Sequence, residues 1–257
     1  MGLRAIRQLA TRGVNVRWPV SDARAVDSGL SAIVPLAPGE SAWRELLPRL
    51  TALREVDEVL LVAVEGADPD LAAELAALPS AGPALRLLRA PRGRALQQDA
   101  GARAARGRWL WFVHADTHFD AGVEAAQSGV LNGAPALYYF DLRFGVDGPR
   151  AMRINDVGVW LRCRLFGLPF GDQALLLPAS VYRQLGGFEA EVGRGEDHAL
   201  VWMAHAARVP VRPIGAVVRT SARRYAGAGW LTTTLEHLRL TITQALRFRR
   251  RAWARWR

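Results

Sequence analysis

The sequence predicts an α/β protein built on a mostly parallel, doubly wound sheet flanked by helices. Three observations predict it. Three short runs, at residues 31–36, 59–64 and 109–113, are bounded by turn residues and read as buried parallel strands, and residues 85–88 add a weaker one. The segments between them carry helical spacing, and strand alternating with helix is the signature of a parallel sheet. The chain has 257 residues, half of them hydrophobic, enough for one large core.

Residues 1–30 are Arg-dotted and lack the continuous apolar stretch of a secretory signal, so they read as an N-terminal extension, disordered or outside the true start, with a transit-like segment as the alternative. The first strand, 31–36, ends at a Pro-Gly turn. Residues 40–56 place Trp43, Leu46, Leu47, Leu50 and Leu53 on one helical stripe. The strand at 59–64 closes on Glu65-Gly66. A short helix at 71–78, a weak strand at 85–88, a helix at 97–106 and a strand at 109–113 complete the first half. After Asp120 the alternation fades. Strands are expected at 136–144, 174–178 and 211–218, helices at 152–166 and 196–206, and a helical turn at 181–185. Residues 231–248 carry Leu231, Leu235, Leu238, Ile242 and Leu246 on one stripe, followed by a basic end. The expected layout is an extension at 1–30, the main α/β domain at 31–230, and an amphipathic helix with basic tail at 231–257.

The formal charge is +10, and all 34 basic residues are Arg. That charge favours anionic partners such as nucleotide phosphates, lipid headgroups or nucleic acid. No helix-turn-helix, zinc or RNA-recognition pattern is present, so no specific nucleic acid is expected. The lone Cys163 excludes an intramolecular disulfide and a Cys-based zinc cluster. No apolar run reaches the ~18 residues of a membrane span.

In open α/β sheets, ligands bind outside the carboxyl ends of the strands. Asp116 follows the fourth strand in His114-Ala115-Asp116-Thr117, where a carboxylate can hold a divalent cation against a diphosphate; a turn or N-cap Asp is the bland alternative. His114 either ligates or positions Asp116. Gly195-Glu196-Asp197 opens a helix after a Gly-rich loop. It reads as a general base facing a cleft or as acids on the helix dipole. Gly171-Asp172-Gln173 can hydrogen-bond an acceptor or form an ordinary turn. Arg223 and Arg224 follow the last strand and can clamp a pyrophosphate or stay solvated.

These elements come in the order of a known family. The chain resembles the family 2 glycosyltransferases of the GT-A fold, in particular a short bacterial subgroup, over about residues 31–248. The resemblance rests on Arg92-Gly93-Arg94 with Gln97 and Gly101-Ala102, on His114-Ala115-Asp116-Thr117, Gly171-Asp172-Gln173, Gly186-Gly187-Phe188, Glu196-Asp197, and Ser221-Ala222-Arg223-Arg224. It implies that Asp116, with His114, holds Mg²⁺ or Mn²⁺ where the family carries Asp-x-Asp. It implies that Asp197 is the base, with Glu196 beside it, and that Gly171, Asp172 and Gln173 meet the acceptor. Pro35, Glu40, Glu65, Arg92, Arg94, Gln97, Arg223 and Arg224 would then serve the nucleotide sugar. Two departures concern the donor: Glu65-Gly66-Ala67-Asp68 replaces Asp-Gly-Gly-Ser, and Asp99 stands where Asn is usual.

The reading is thus an inverting, metal-dependent transfer of a sugar from a nucleoside-diphosphate sugar to an acceptor hydroxyl, in the cytoplasm. A nucleotidyltransferase on a sugar phosphate is the alternative enzyme, and a basic nucleic-acid-binding protein the alternative outside enzymes. The Arg- and Trp-bearing tail either lies on an anionic membrane at its cytoplasmic face, which would make a lipid-linked acceptor natural, or packs on the catalytic domain.

Overall fold

The computed structural model describes residues 29–78 and 82–256. The extension expected at residues 1–30 therefore falls almost wholly outside the described residues. The chain forms two compact units that meet in sequence between Ala115 and Asp116.

The first unit carries strands β1 (Leu30–Leu36), β2 (Val56–Val64), β3 (Ala84–Ala90) and β4 (Trp109–Phe112), with helices α1 (Trp43–Thr51), α2 (Leu71–Ala76) and α3 (Arg94–Ala104). The strands lie in the order β3-β2-β1-β4, all parallel, with Ile33 opposite Leu60 on one side and Phe112 on the other. Leu60, Val62, Trp111 and Phe112 are almost wholly buried, as strands covered on both faces require. Order reverses between β1 and β4, so a crevice opens at their carboxyl ends. The helix expected at 97–106 begins three residues earlier, because Gly93, at φ 143°, turns the chain into it. The 40–56 stripe is shorter than its apolar spacing implies; α1 ends at Thr51 and Leu53 lies beyond it.

Helix α3 lies close on the sheet because it has Gly101. A Cβ there would stand 2.5 Å from Ile33 Cγ2 and 3.1 Å from Val62 Cγ2. Gly101→Ala should therefore destabilise by about 1–3 kcal/mol through overpacking, outweighing the helix propensity Ala brings. Urea unfolding of the variant checks this; an unchanged midpoint would show that α3 can retreat freely.

The second unit carries β5 (His118–Phe119), α4 (Val123–Leu131), β6 (Leu137–Phe144), α5 (Met152–Phe166), β7 (Leu176–Pro178), α6 (Ala179–Leu185), α7 (Glu196–Ala206), β8 (Val211–Thr220), α8 (Arg223–Ala228) and α9 (Trp230–Arg255). Its strands lie in the order β7-β6-β8-β5. β6 runs parallel to β8, while β7 and β5 run antiparallel to their neighbours. β5 and α4 have no counterpart in the sequence reading. β5 is two residues long, and α4 buries only Val123 and Gln127, so neither writes a period into the sequence. No described helix is long and apolar enough to cross a membrane.

Candidate active site

In the first unit, the expected donor residues gather at the carboxyl ends of the strands. Pro35 lies in β1 opposite Val62. Glu40 follows the turn, and its Oε1 accepts from the backbone N–H of Ser41 at 2.8 Å and Ala42 at 2.9 Å, tying down the entry to α1. Glu65 is exposed just beyond β2, and its N–H donates to Ala90 O. Arg92 and Arg94 are exposed at the start of α3. His114 is half-buried just after β4. Gln97 is buried and gives both hydrogens of its amide to main chain, Leu36 O at 2.8 Å and Val62 O at 2.7 Å. Its direct part is to hold the ends of β1 and β2 in register.

Arg89, which sequence reasoning passed over, and Asp68, which it read only as a departure from the family's motif, shape the same rim. Arg89 donates to the carbonyls of Val64, Ala67 and Asp68, and Asp68 Oδ1 accepts from Gly39 N–H at 3.0 Å. The loops after β1 and β2 are thereby joined. No local pattern signals this, because Asp68 and Gly39 are 29 residues apart.

In the second unit, Asp116 is half-buried, and Thr220 Oγ1 donates to its Oδ2 at a long 3.4 Å. Thr220 ends β8, so the strand's end delivers Ser221 and Arg223 to the same neighbourhood. There Asp147 organises the chain: its carboxylate accepts from Ser221 Oγ at 2.5 Å and from Ala222 N–H at 2.9 Å. Arg223 Nε donates to Ser221 Oγ at 2.9 Å, while its side chain stays 78% exposed. Arg224 is the next residue of α8. Among the described residues no group of three or more His, Cys, Asp or Glu side chains could hold a metal ion. The described residues therefore build no closed protein cage. A single half-buried carboxylate with one weak hydrogen bond fits instead a hard cation whose remaining ligands are phosphate oxygens and water.

The Gly171-Asp172-Gln173 turn and the start of α7 are locked together. Asp197 is only 8% exposed, and its Oδ2 accepts from Gly171 N–H at 2.5 Å while Oδ1 accepts from His198 N–H at 2.8 Å. Glu196, also buried, accepts from Gly195 N–H through Oε2 at 3.1 Å. Gln173 is anchored at both ends of its amide: Nε2 donates to Phe140 O at 3.0 Å, and Oε1 accepts from Arg162 Nη2 at 3.1 Å and from Phe170 N–H at 3.1 Å. Arg162 also donates to Leu168 O at 2.8 Å and stacks 3.6 Å from the Phe170 ring centroid. Asp172 is thus presented by a turn whose two flanking residues are pinned.

His198 is buried next to the base candidate. Trp202 Nε1 donates to its Nε2 at 3.1 Å, so Nδ1 carries the hydrogen and faces Gln244 Oε1 at 3.4 Å. Burial pushes the imidazole below its ordinary value of 6.5, partly offset by Gln244 and Asp197. A depressed histidine stabilises the fold fully above its unfolded pKa, and that contribution is lost as pH falls through 6.5 toward the lower folded value. The fall in Tm between about pH 7.5 and about pH 5.5 should therefore be smaller in His198→Gln than in the parent. Equal slopes in a thermal-melt series would show that this histidine does not titrate across folding.

No protein-family model and no curated protein sequence matches the chain. Solved structures do. The mannosyltransferase PcManGT from Pyrobaculum calidifontis, in complex with GDP-Man and Mn²⁺, superposes with a TM-score of 0.63 at 19% identity, covering 95% of this chain and 70% of that one. Residues 1–349 of S. aureus TarS, in complex with UDP, give 0.56 at 15% identity over 76% of this chain and 60% of that one. Glucosyl-3-phosphoglycerate synthase from Mycobacterium tuberculosis, with Mn²⁺, UDP and phosphoglyceric acid, gives 0.50 at 15% identity over 76% and 68%. The chain thus spans less than two thirds of the TarS fragment it matches. At these identities the likeness establishes the fold, which is of the GT-A type seen in glycosyltransferases.

Proposed function

We propose that this protein is an inverting, family 2-like glycosyltransferase that moves a sugar from a nucleoside-diphosphate sugar to an acceptor hydroxyl. The observation that carries the proposal is the hydrogen bond from Gly171 N–H to Asp197 Oδ2. It fixes a buried carboxylate against the turn that presents Asp172, as a base and an acceptor-binding motif must be fixed relative to each other. The neighbours bearing UDP or GDP-Man support a nucleotide-sugar donor.

Asp197 takes the proton of the acceptor hydroxyl. The freed oxygen forms a bond to the anomeric carbon from the face opposite the leaving group. The bond from that carbon to the diphosphate oxygen breaks, and the electron pair leaves with the nucleoside diphosphate. Glu196 sits beside the base at the helix start. Asp116, with His114, would hold Mg²⁺ or Mn²⁺; when bound, that cation neutralises charge on the diphosphate. Arg223 and Arg224 add donors for the same oxygens. Pro35, Glu40, Glu65, Arg92, Arg94 and the strand ends that Gln97 bridges serve the nucleoside. Asp172 receives the acceptor, whose lipid linkage and cytoplasmic-face location are part of this reading.

A thermal-shift panel of nucleoside diphosphates and sugar nucleotides, with and without Mn²⁺, identifies the donor. A ligand at about 100 times its Kd stabilises the fold by about 2.7 kcal/mol. The stabilising donor is then incubated with candidate acceptors. Release of nucleoside diphosphate with an inverted anomeric signal is the expected result. Release of pyrophosphate would make the protein a nucleotidyltransferase, and retained configuration would remove the single displacement.

A further inference from the structure

We infer that helices α5 and α9 together form a face that docks on an anionic phospholipid surface. α5 buries Met152, Asp156 and Cys163 and leaves a stripe outward. Ile154, Val157, Leu161 and Leu165, spaced three, four and four residues apart, are 62%, 55%, 41% and 68% exposed. α9 buries Phe248 and Ala252 and leaves a second stripe, Leu231, Leu235, Leu238, Ile242 and Leu246, each more than half exposed. The two helices touch: Asn155 Nδ2 donates to Thr234 Oγ1 at 3.1 Å, and Trp230 Nε1 donates to Asn155 Oδ1 at 2.6 Å. Exposed apolar stripes on two adjoining helices form an interaction surface rather than scattered surface leucines.

Charge selects the occupant. The one acid of α5, Asp156, is buried and accepts from Phe144 N–H. α9 has a single acid, Glu236, and then exposed Arg239, Arg247, Arg249 and Arg250. A second copy seated on this face by two-fold symmetry would bring arginines against arginines. A layer of anionic headgroups neutralises them while the leucines enter the acyl boundary, with exposed Trp160 and Trp256 at the interface. The other side of α9 is packed on the protein: Gln244 faces His198 and donates to Arg194 O at 3.1 Å, and Arg251 and Arg255 pair with Glu189. α5 reaches the acceptor turn through Arg162 and Gln173. Resting on the glycosyl-transfer reading, the acceptor is then a hydroxyl-bearing lipid presented to Asp172 and Asp197 from that surface.

The test uses the full chain and vesicles of phosphatidylglycerol mixed with phosphatidylcholine, against phosphatidylcholine alone, in co-sedimentation. Binding should be at least ~10-fold tighter on the anionic vesicles. The triple variant Val157→Ser, Leu161→Ser, Leu165→Ser and the triple variant Leu238→Ser, Ile242→Ser, Leu246→Ser should each lose ~10-fold or more with Tm retained, since all six side chains point outward. Arg249→Glu with Arg250→Glu, at exposed positions, should lose the anionic preference without touching either stripe. Equal binding to neutral vesicles, no binding by the parent, or loss confined to the α9 variants would overturn the two-helix face. So would a parent dimer in size-exclusion light scattering that both triple variants convert to monomer. Nucleotide-dependent thermal shift with Mn²⁺ on the same samples reports on the donor site separately. Vesicle binding that fails while that shift persists overturns the face and leaves the transferase reading standing.

Discussion

Asp197→Asn should lower turnover by ~10²–10⁴-fold while nucleotide-sugar binding survives. The amide cannot accept the acceptor proton, and the expected donor residues do not include it. The structure adds a stability cost. Both carboxylate oxygens accept backbone N–H groups, from Gly171 and His198. An amide must turn its NH₂ toward one of them, leaving donor against donor at a cost of about 1–3 kcal/mol. The rate must therefore be measured well below the variant's Tm, with the folded fraction read by circular dichroism. A rate that recovers to the parent's value after that correction would make Asp197 a structural clasp only. Loss of donor binding together with the rate would also count against it as the base, since a base that acts only on the acceptor has no hold on the donor.

Asp116→Ala should lower turnover by on the order of 10²–10³-fold, the scale of losing one group that stabilises developing charge on the leaving diphosphate. The fold should change by about 1 kcal/mol or less, because the carboxylate is half-buried and its hydrogen bond from Thr220 is a long one. The distinctive readout is metal dependence. Mn²⁺ should raise the Tm of the parent in the presence of the nucleoside diphosphate, and that increment should vanish in the variant. A variant that keeps both the increment and the rate would remove Asp116 from the metal site and return it to the role of an ordinary turn residue.

The parallel first unit was legible in the sequence because its cause is local. Strands such as 59–64 and 109–113 are covered on both faces, so they must be continuous apolar runs, and the helices between them must show one apolar stripe. The candidate carboxylates were legible for a similar reason: Asp116 follows a buried strand and Asp197 opens a helix, both readable from a few neighbours. α9 was half legible. Its stripe at 231–246 showed in the spacing, but spacing does not say what covers a stripe. The structure leaves that stripe open and packs Gln244, Phe248 and Ala252 inward instead.

What only tertiary structure decided are the contacts between distant residues. Gly171 donates to Asp197 across 26 positions, Gln97 bridges to Leu36 across 61, and Ser221 meets Asp147 across 74. Such hydrogen bonds need one donor and one acceptor and impose no period on the chain, so no pattern along the sequence records them. Periodicity records which face of an element is dry. Partners for buried polar groups are settled only when the elements have packed, and in this protein those partners hold the candidate base, the Gly171–Gln173 turn and the carboxyl ends of β1 and β2 in place.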